Sequence, residues 1–266
     1  MKIMMRLTIA LLVIGMNGVC AAELRIWTVE EPPSSFTDEQ EGKKAITGFA
    51  VEIVREVQRK LGDATPIQIM PEARVYQLAL TEPNIVLFSI SRTPARETTF
   101  HWISLIMRKP WVFYAKKNAG VRINSIEDLK QVKAIGVVRG DVRASWLQEQ
   151  GLTNVEEVTQ HEQNLRKLMA DRVQLIFYEP QGLAYLCKQL GYDVTTLEPV
   201  FIPYVSEVYI AMSKPGTPLE TVKQWQAAAQ QLKTDGTFQQ IGEKWTKYIR
   251  ERYGIVAEVK DGALNF

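Results

Sequence analysis

The chain has 266 residues, 46% hydrophobic and 23% charged, a composition that excludes a mainly disordered or collagen-like protein. Its 32 Lys and Arg stand against 30 Asp and Glu, and a formal charge of +2 builds no field for non-specific nucleic-acid binding, so nucleic acid is not an expected partner. Two cysteines, Cys20 and Cys187, are too few for a disulfide scaffold, so a core of one large or two smaller domains must carry the stability.

Lys2 and Arg6 precede an apolar stretch over 7–19 and the small residues of VCAAEL, the layout of a cleaved secretory signal. The stretch is shorter than the ~20 residues a spanning helix needs, which disfavours a membrane anchor, and cleavage is expected after Ala22. Cys20 raises lipidation as a minor alternative, but Val19 stands where lipoprotein signals have Gly or Ala. Removing 1–22 takes two cations and no acids, which leaves 30 charges of each sign and a neutral exported chain. Cys187, in the apolar run LAYLC, then has no disulfide partner and reads as a small core residue.

Residues 24–28 read as a strand, and Phe49, Ile53, Val54, Val57 and Leu61 recur at helical spacing up to Gly62. A strand over 67–70, a short helix over 74–80 and a strand over 85–88 complete a βαβαβ pattern, which points to a parallel sheet covered by helices. The pattern restarts after Pro110 with a strand over 111–115, a capping box at Ser125 and Asp128, and a strand over 134–138. Helices over 144–150, 163–170 and 182–190 follow, with a strand over 175–178 between the last two. A strand over 208–212 precedes a helix in which Pro218 is expected in the first turn after Thr217. The stripes Leu219, Val222, Trp225, Ala229, Leu232 and Phe238, Ile241, Trp245, Tyr248 place both of these tryptophans in a core.

The runs GFAVEIVREVQRKLG, FSISRTPARETTFHW, SIEDLK with AIGVVRGD, and LKTDGTFQQIGEKW resemble, in this order, the blocks of the family 3 extracellular solute-binding proteins. The resemblance spans essentially the whole chain after residue 22. It implies an α/β fold of two lobes, each a mostly parallel sheet with helices on both faces, joined by two hinge strands. The lobes would be 23–108 with 204–266, and 109–203. It further implies a monomeric periplasmic receptor, without cofactor, that closes on a small-molecule ligand such as a polar amino acid and docks on an ABC permease.

By the same resemblance, Arg96 in TPARE forks onto the ligand's α-carboxylate, a role that its paired donors suit; the alternative is a surface pair with Glu97. Ser89 and Ser91, two apart at the end of a strand, are expected on one face beside it. Glu179 matches the acid that binds an α-ammonium, or else stands at a helix N-terminus stabilised by the dipole. Gly140 matches a position offering backbone N–H groups. The sequence departs from the family at Asp141, where a Thr usually donates to the carboxylate; Asp141 either caps its own helix or meets a cationic ligand group. Glu30 and Glu31 stand near the place of a stacking aromatic. Arg74 breaks the dipole rule at a helix start and is a pocket candidate, or else an exposed cation; Arg92 is a further candidate.

His101 and His161 stand without a second His or Cys at metal-ligand spacing, and no GxSxG, Walker loop or dinucleotide fingerprint is present. The leading expectation is therefore a binding protein. Two alternatives stay open: an enzyme similar to cyclohexadienyl dehydratase, with Glu179 as general acid, and a sensor domain.

Overall fold

The computed structural model describes residues 23–40 and 43–266, so the expected signal segment over 1–22 lies outside the described residues. In chain order the elements are β1 (Arg25–Thr28), β2 (Phe36–Gln40), β3 (Lys43–Thr47), α1 (Phe49–Leu61), β4 (Ile67–Ile69), α2 (Glu72–Thr81) and β5 (Ile85–Arg92). There follow β6 (Phe100–Lys116), α3 (Ile126–Leu129), β7 (Ile135–Val138), α4 (Val142–Glu149), β8 (Val155–Val158), α5 (His161–Met169), β9 (Leu175–Tyr178) and α6 (Pro180–Leu190). The chain ends with β10 (Leu197–Ser213), α7 (Leu219–Thr234), α8 (Thr237–Tyr253), β11 (Glu258–Lys260) and β12 (Ala263–Asn265).

The expected α/β fold is present. The main sheet runs β4-β1-β5-β10-β6-β9-β7-β8. Each wing is parallel, β1 pairing with β4 and β5, and β7 with β8 and β9, whereas β10 runs antiparallel to β5 and β6. The middle pair crosses from one lobe to the other. β6 and β10 have 17 residues each, about 55 Å of extended chain, and stay paired from Leu197 opposite Lys116 to Ser213 opposite Phe100. The sequence shows only the apolar C-terminal stretch of each strand, 111–115 and 208–212; the earlier parts mix polar and apolar residues, and the bulges break the period-two signal.

Alternating residues of one strand enter opposite cores. In the first lobe Ile26, Val86 and Phe88 pack with the α1 stripe and with Trp225 and Trp245, while Trp27, Ile85 and Leu87 pack under α2 with Val75 and Phe100. In the second, Phe113, Ile135 and Phe177 pack on one face, and Val112, Ile176 and Tyr178 meet Leu183 and Cys187 on the other. Phe49, Val54 and Val57 are fully buried, each such side chain contributing about 1.5–3 kcal/mol. Gly48 caps α1 with φ 131°, where a Cβ would stand 2.2 Å from the Ser34 carbonyl oxygen, so only glycine lets the chain pass the 31–35 loop.

Several local expectations need adjustment. Pro71 caps α2, which therefore starts at Glu72 and holds Arg74 as its third residue. Pro218 is itself the cap of α7 rather than a residue of its first turn, because its extended ψ of 130° lies outside the helix. The hairpin β2-β3, the short β8 and the β11-β12 hairpin were not foreseen: polar runs such as FTDEQ and VEEV carry no buried alternation. The Ser125 capping box forms as expected. Among the described residues no helix is long and apolar enough to cross a membrane.

Candidate functional site

A cleft of about 660 Å³ lies between the lobes. One wall carries the loops after β1 and β4 and the end of β5; the other carries the starts of α4, α5 and α6. Such crevices at strand ends are where ligands settle in open α/β sheets.

The first wall is a ladder of hydroxyls. Ser89 has φ 63° and lies where the register between β5 and β10 slips, so it is the extra residue of a bulge rather than a member of a regular pleat. The turn sets its Oγ 2.8 Å from that of Ser34 and 3.2 Å from that of Ser35. Thr28 continues the ladder by donating to Ser35 Oγ at 3.0 Å. Those bonds hold a conformation that costs roughly 1–2 kcal/mol for a non-glycine residue. Ser91 also lines the cleft and accepts from Ser206 at 2.8 Å.

Charge dominates the floor and the opposite wall. Glu179 is fully buried at the start of α6, with Oε1 3.1 Å from Lys109 Nζ and Oε2 bonded by Arg143 Nη1. Lys109, from the hinge strand β6, also donates to Glu31 in the loop after β1. Asp141 caps α4 by accepting from the Arg143 N–H at 2.8 Å, and Arg143 Nε donates to the same oxygen at 2.9 Å. Arg143 Nη2 takes the other Asp141 oxygen, and the guanidinium lies 4.9 Å from the centroid of the Tyr178 ring. His161 stacks on that ring at 3.9 Å, with Nε2 3.6 Å from Asp141 Oδ2. Three carboxylates and two cations thus form one network linking both walls through the hinge.

The network sets the protonation around it. Burial alone pushes the Asp141 carboxyl up, but the neighbouring Arg143 guanidinium overcomes it and holds the group at about 2. Burial, then Arg143, drives His161 down to about 3, so its imidazole is neutral at pH 7. Burial drives the Tyr178 hydroxyl up.

Of the residues singled out in the sequence, Glu30, Glu31, Ser89, Ser91, Gly140, Asp141 and Glu179 line the cleft. Three arginines stand elsewhere. Arg92 pairs with Glu97 at 2.7 Å and lies over Trp102 and Tyr209, at 5.4 and 5.1 Å from their ring centroids. Arg96, in the turn Pro94–Arg96, lies 4.6 Å from the centroid of Tyr76 and makes no ion pair among the described residues, so the alternative pairing with Glu97 is taken by Arg92 instead. Arg74 is exposed and outside the cleft lining. Sequence reasoning missed Lys109, Arg143, His161 and Glu72. Arg143 carried a usable signal, a cation in a helix's first turn, the same rule that drew attention to Arg74.

Residues 24–248 match the family model of bacterial extracellular solute-binding proteins, family 3. No curated protein matches the chain in sequence. Among solved structures, a histidine kinase sensor domain with similarity to periplasmic binding proteins is 18% identical with a TM-score of 0.72, over 84% of this chain and 96% of that one. A P235GK mutant of ArgBP from T. maritima, 18% identical, has a TM-score of 0.70 over 84% and 95% of the two chains. An ancestral arginine-binding protein bound to arginine, 22% identical, has 0.68 over 84% and 97%. At these identities the structures share the fold, and the family match over most of the chain supplies the rest: the chain belongs to the bacterial extracellular solute-binding proteins of family 3.

Proposed function

We propose that the protein, exported by removal of residues 1–22, is a monomeric periplasmic receptor that captures a small polar or zwitterionic ligand, an amino acid or related carboxylate. It closes about its hinge and delivers the ligand to an ABC permease. One observation carries this reading: the cleft of a family member is walled by polar groups from two lobes that are joined through β6 and β10. Two long strands bend together more readily than two packed cores deform, which is the mechanical basis of hinge closure.

In this proposal Ser89, Ser91 and the Gly140 backbone supply hydrogen bonds to the ligand, and the unpaired Arg96 guanidinium is the receptor for a carboxylate at the edge of the first lobe. Arg74 and Arg92 play no direct part. Catalysis is not proposed, because both oxygens of Glu179, the acid a dehydratase on this scaffold would use, are engaged by Lys109 and Arg143.

Refolded protein, freed of bound solute, tests the reading. A ligand at 100 times its Kd adds ~2.7 kcal/mol of stability, so a panel of amino acids and small carboxylates is expected to contain a member that raises Tm. The same member is expected to reduce the radius of gyration in X-ray scattering. Turnover of prephenate without closure would reject the binding role.

A further inference from the structure

The anion receptor of the second wall is already filled by the protein itself. The N-terminus of α4 and the fork of Arg143 are the groups there that suit a carboxylate, and the Asp141 side chain occupies both. The other cations lining the cleft are committed as well: Lys109 to Glu31 and Glu179, and Arg139 to Glu157 at 2.9 Å. Against these three cations, six carboxylates line the cleft. The buried network therefore keeps one negative charge in excess. Beyond it, Glu72 on the first wall and Glu162 on the second have no cation within ion-pairing distance among the described residues. Both stand in the first turn of a helix, where the dipole tolerates an acid but supplies no counter-ion. Desolvation, and then the Asp141 charge, push the Glu72 carboxyl up to about 7 against the weaker pull of Arg96, so the negative charge of the network is felt at that wall.

We infer that the solute received by this cleft bears a net positive charge, its aliphatic ammonium or guanidinium group set between Glu72 and Glu162. The inference rests on the solute-binding reading and narrows it: beyond any carboxylate met by Arg96, the ligand carries at least one further cation. Basic amino acids and simple diamines share this chemistry.

Calorimetric titration of the refolded chain with matched compounds tests it: cadaverine and lysine, agmatine and arginine, the neutral isosteres norleucine and citrulline, and the acids glutamate and glutarate. At least one cationic member is expected to bind ten times or more tighter than its neutral isostere, and the acids more weakly still. A basic amino acid exceeding its diamine by tenfold assigns the cation a carboxylate-bearing source; equal affinities assign a carboxylate-free one. Glu72→Gln and Glu162→Gln are each expected to lower the ratio of cation to isostere affinity about tenfold with unchanged circular dichroism, which a merely structural role would not do. Tightest binding of a neutral or acidic member, an unchanged ratio in both variants, or no binding by any cation overturns the inference. The solute-binding reading itself falls only if neutral and anionic panels also leave Tm and radius of gyration unmoved.

Discussion

Two groups of ion pairs in this protein look alike in sequence and differ in consequence. Arg92 and Glu97 lie five residues apart on the first lobe, with half the Glu97 side chain exposed. Lys109 from β6, Asp141 and Arg143 from the start of α4, and Glu179 from the start of α6 meet in the fold and keep 6% or less of their side chains exposed. The first pair is screened by water and costs little to lose. The second has surrendered its hydration, so its members depend on each other, and removal of one strands the rest. Proximity in sequence is thus a poor guide to the energy of a pair; the decisive quantity is how much solvent the fold has taken from it.

The sharpest way to break this comparison is Arg143→Ala, which leaves Asp141 and Glu179 buried without their guanidinium and is expected to cost about 3–5 kcal/mol in denaturant unfolding. Lys109→Met is expected to fall in the same range, while Lys109→Met with Glu179→Gln should recover part of the loss, since a neutral amide needs no counter-ion although Glu31 stays without its lysine. Equal destabilisation in the single and double variants would reject an electrostatic origin.

Acid should act on the network next. His161 is depressed in the fold by burial and by Arg143, so the unfolded chain binds the proton first, and stability is expected to fall as pH drops below the ordinary histidine value near 6.5. Asp141 is likewise depressed, and its contribution is lost as pH falls from the ordinary carboxylate range through about 2. In His161→Gln the first of these losses should disappear from the stability profile, leaving the second.

The smallest expected effect is that of Arg92→Ala. Tm should stay close to that of the unaltered protein, and at 1 M salt the two should become indistinguishable as the exposed pair is screened.

The parallel wings were legible because each strand and helix carries its own period: the α1 stripe and the run IVLF announce themselves without tertiary context. The network was only half legible. Glu179 stood out as the match to the family's acid and Asp141 as a departure from its Thr, but Lys109 and Arg143, which bind Glu179, lie 70 and 36 residues away, and only the fold brings them to it. Ser89 shows the same limit from the other side. Its place at the cleft was readable from the strand end, yet the bulge that turns its hydroxyl to Ser34 depends on how β10 pairs with β5.

That pairing has a consequence for the order in which the molecule can be made. β10 is the strand between β5 and β6, so until residue 213 has been synthesised, the first lobe lacks its central neighbour and β5 presents an open edge. A chain halted before 197 would hold a complete apolar face with nothing on that edge, the geometry that recruits another chain. Assembly of the first lobe must wait for distant residues, which slows it and lengthens the interval in which a chaperone is useful.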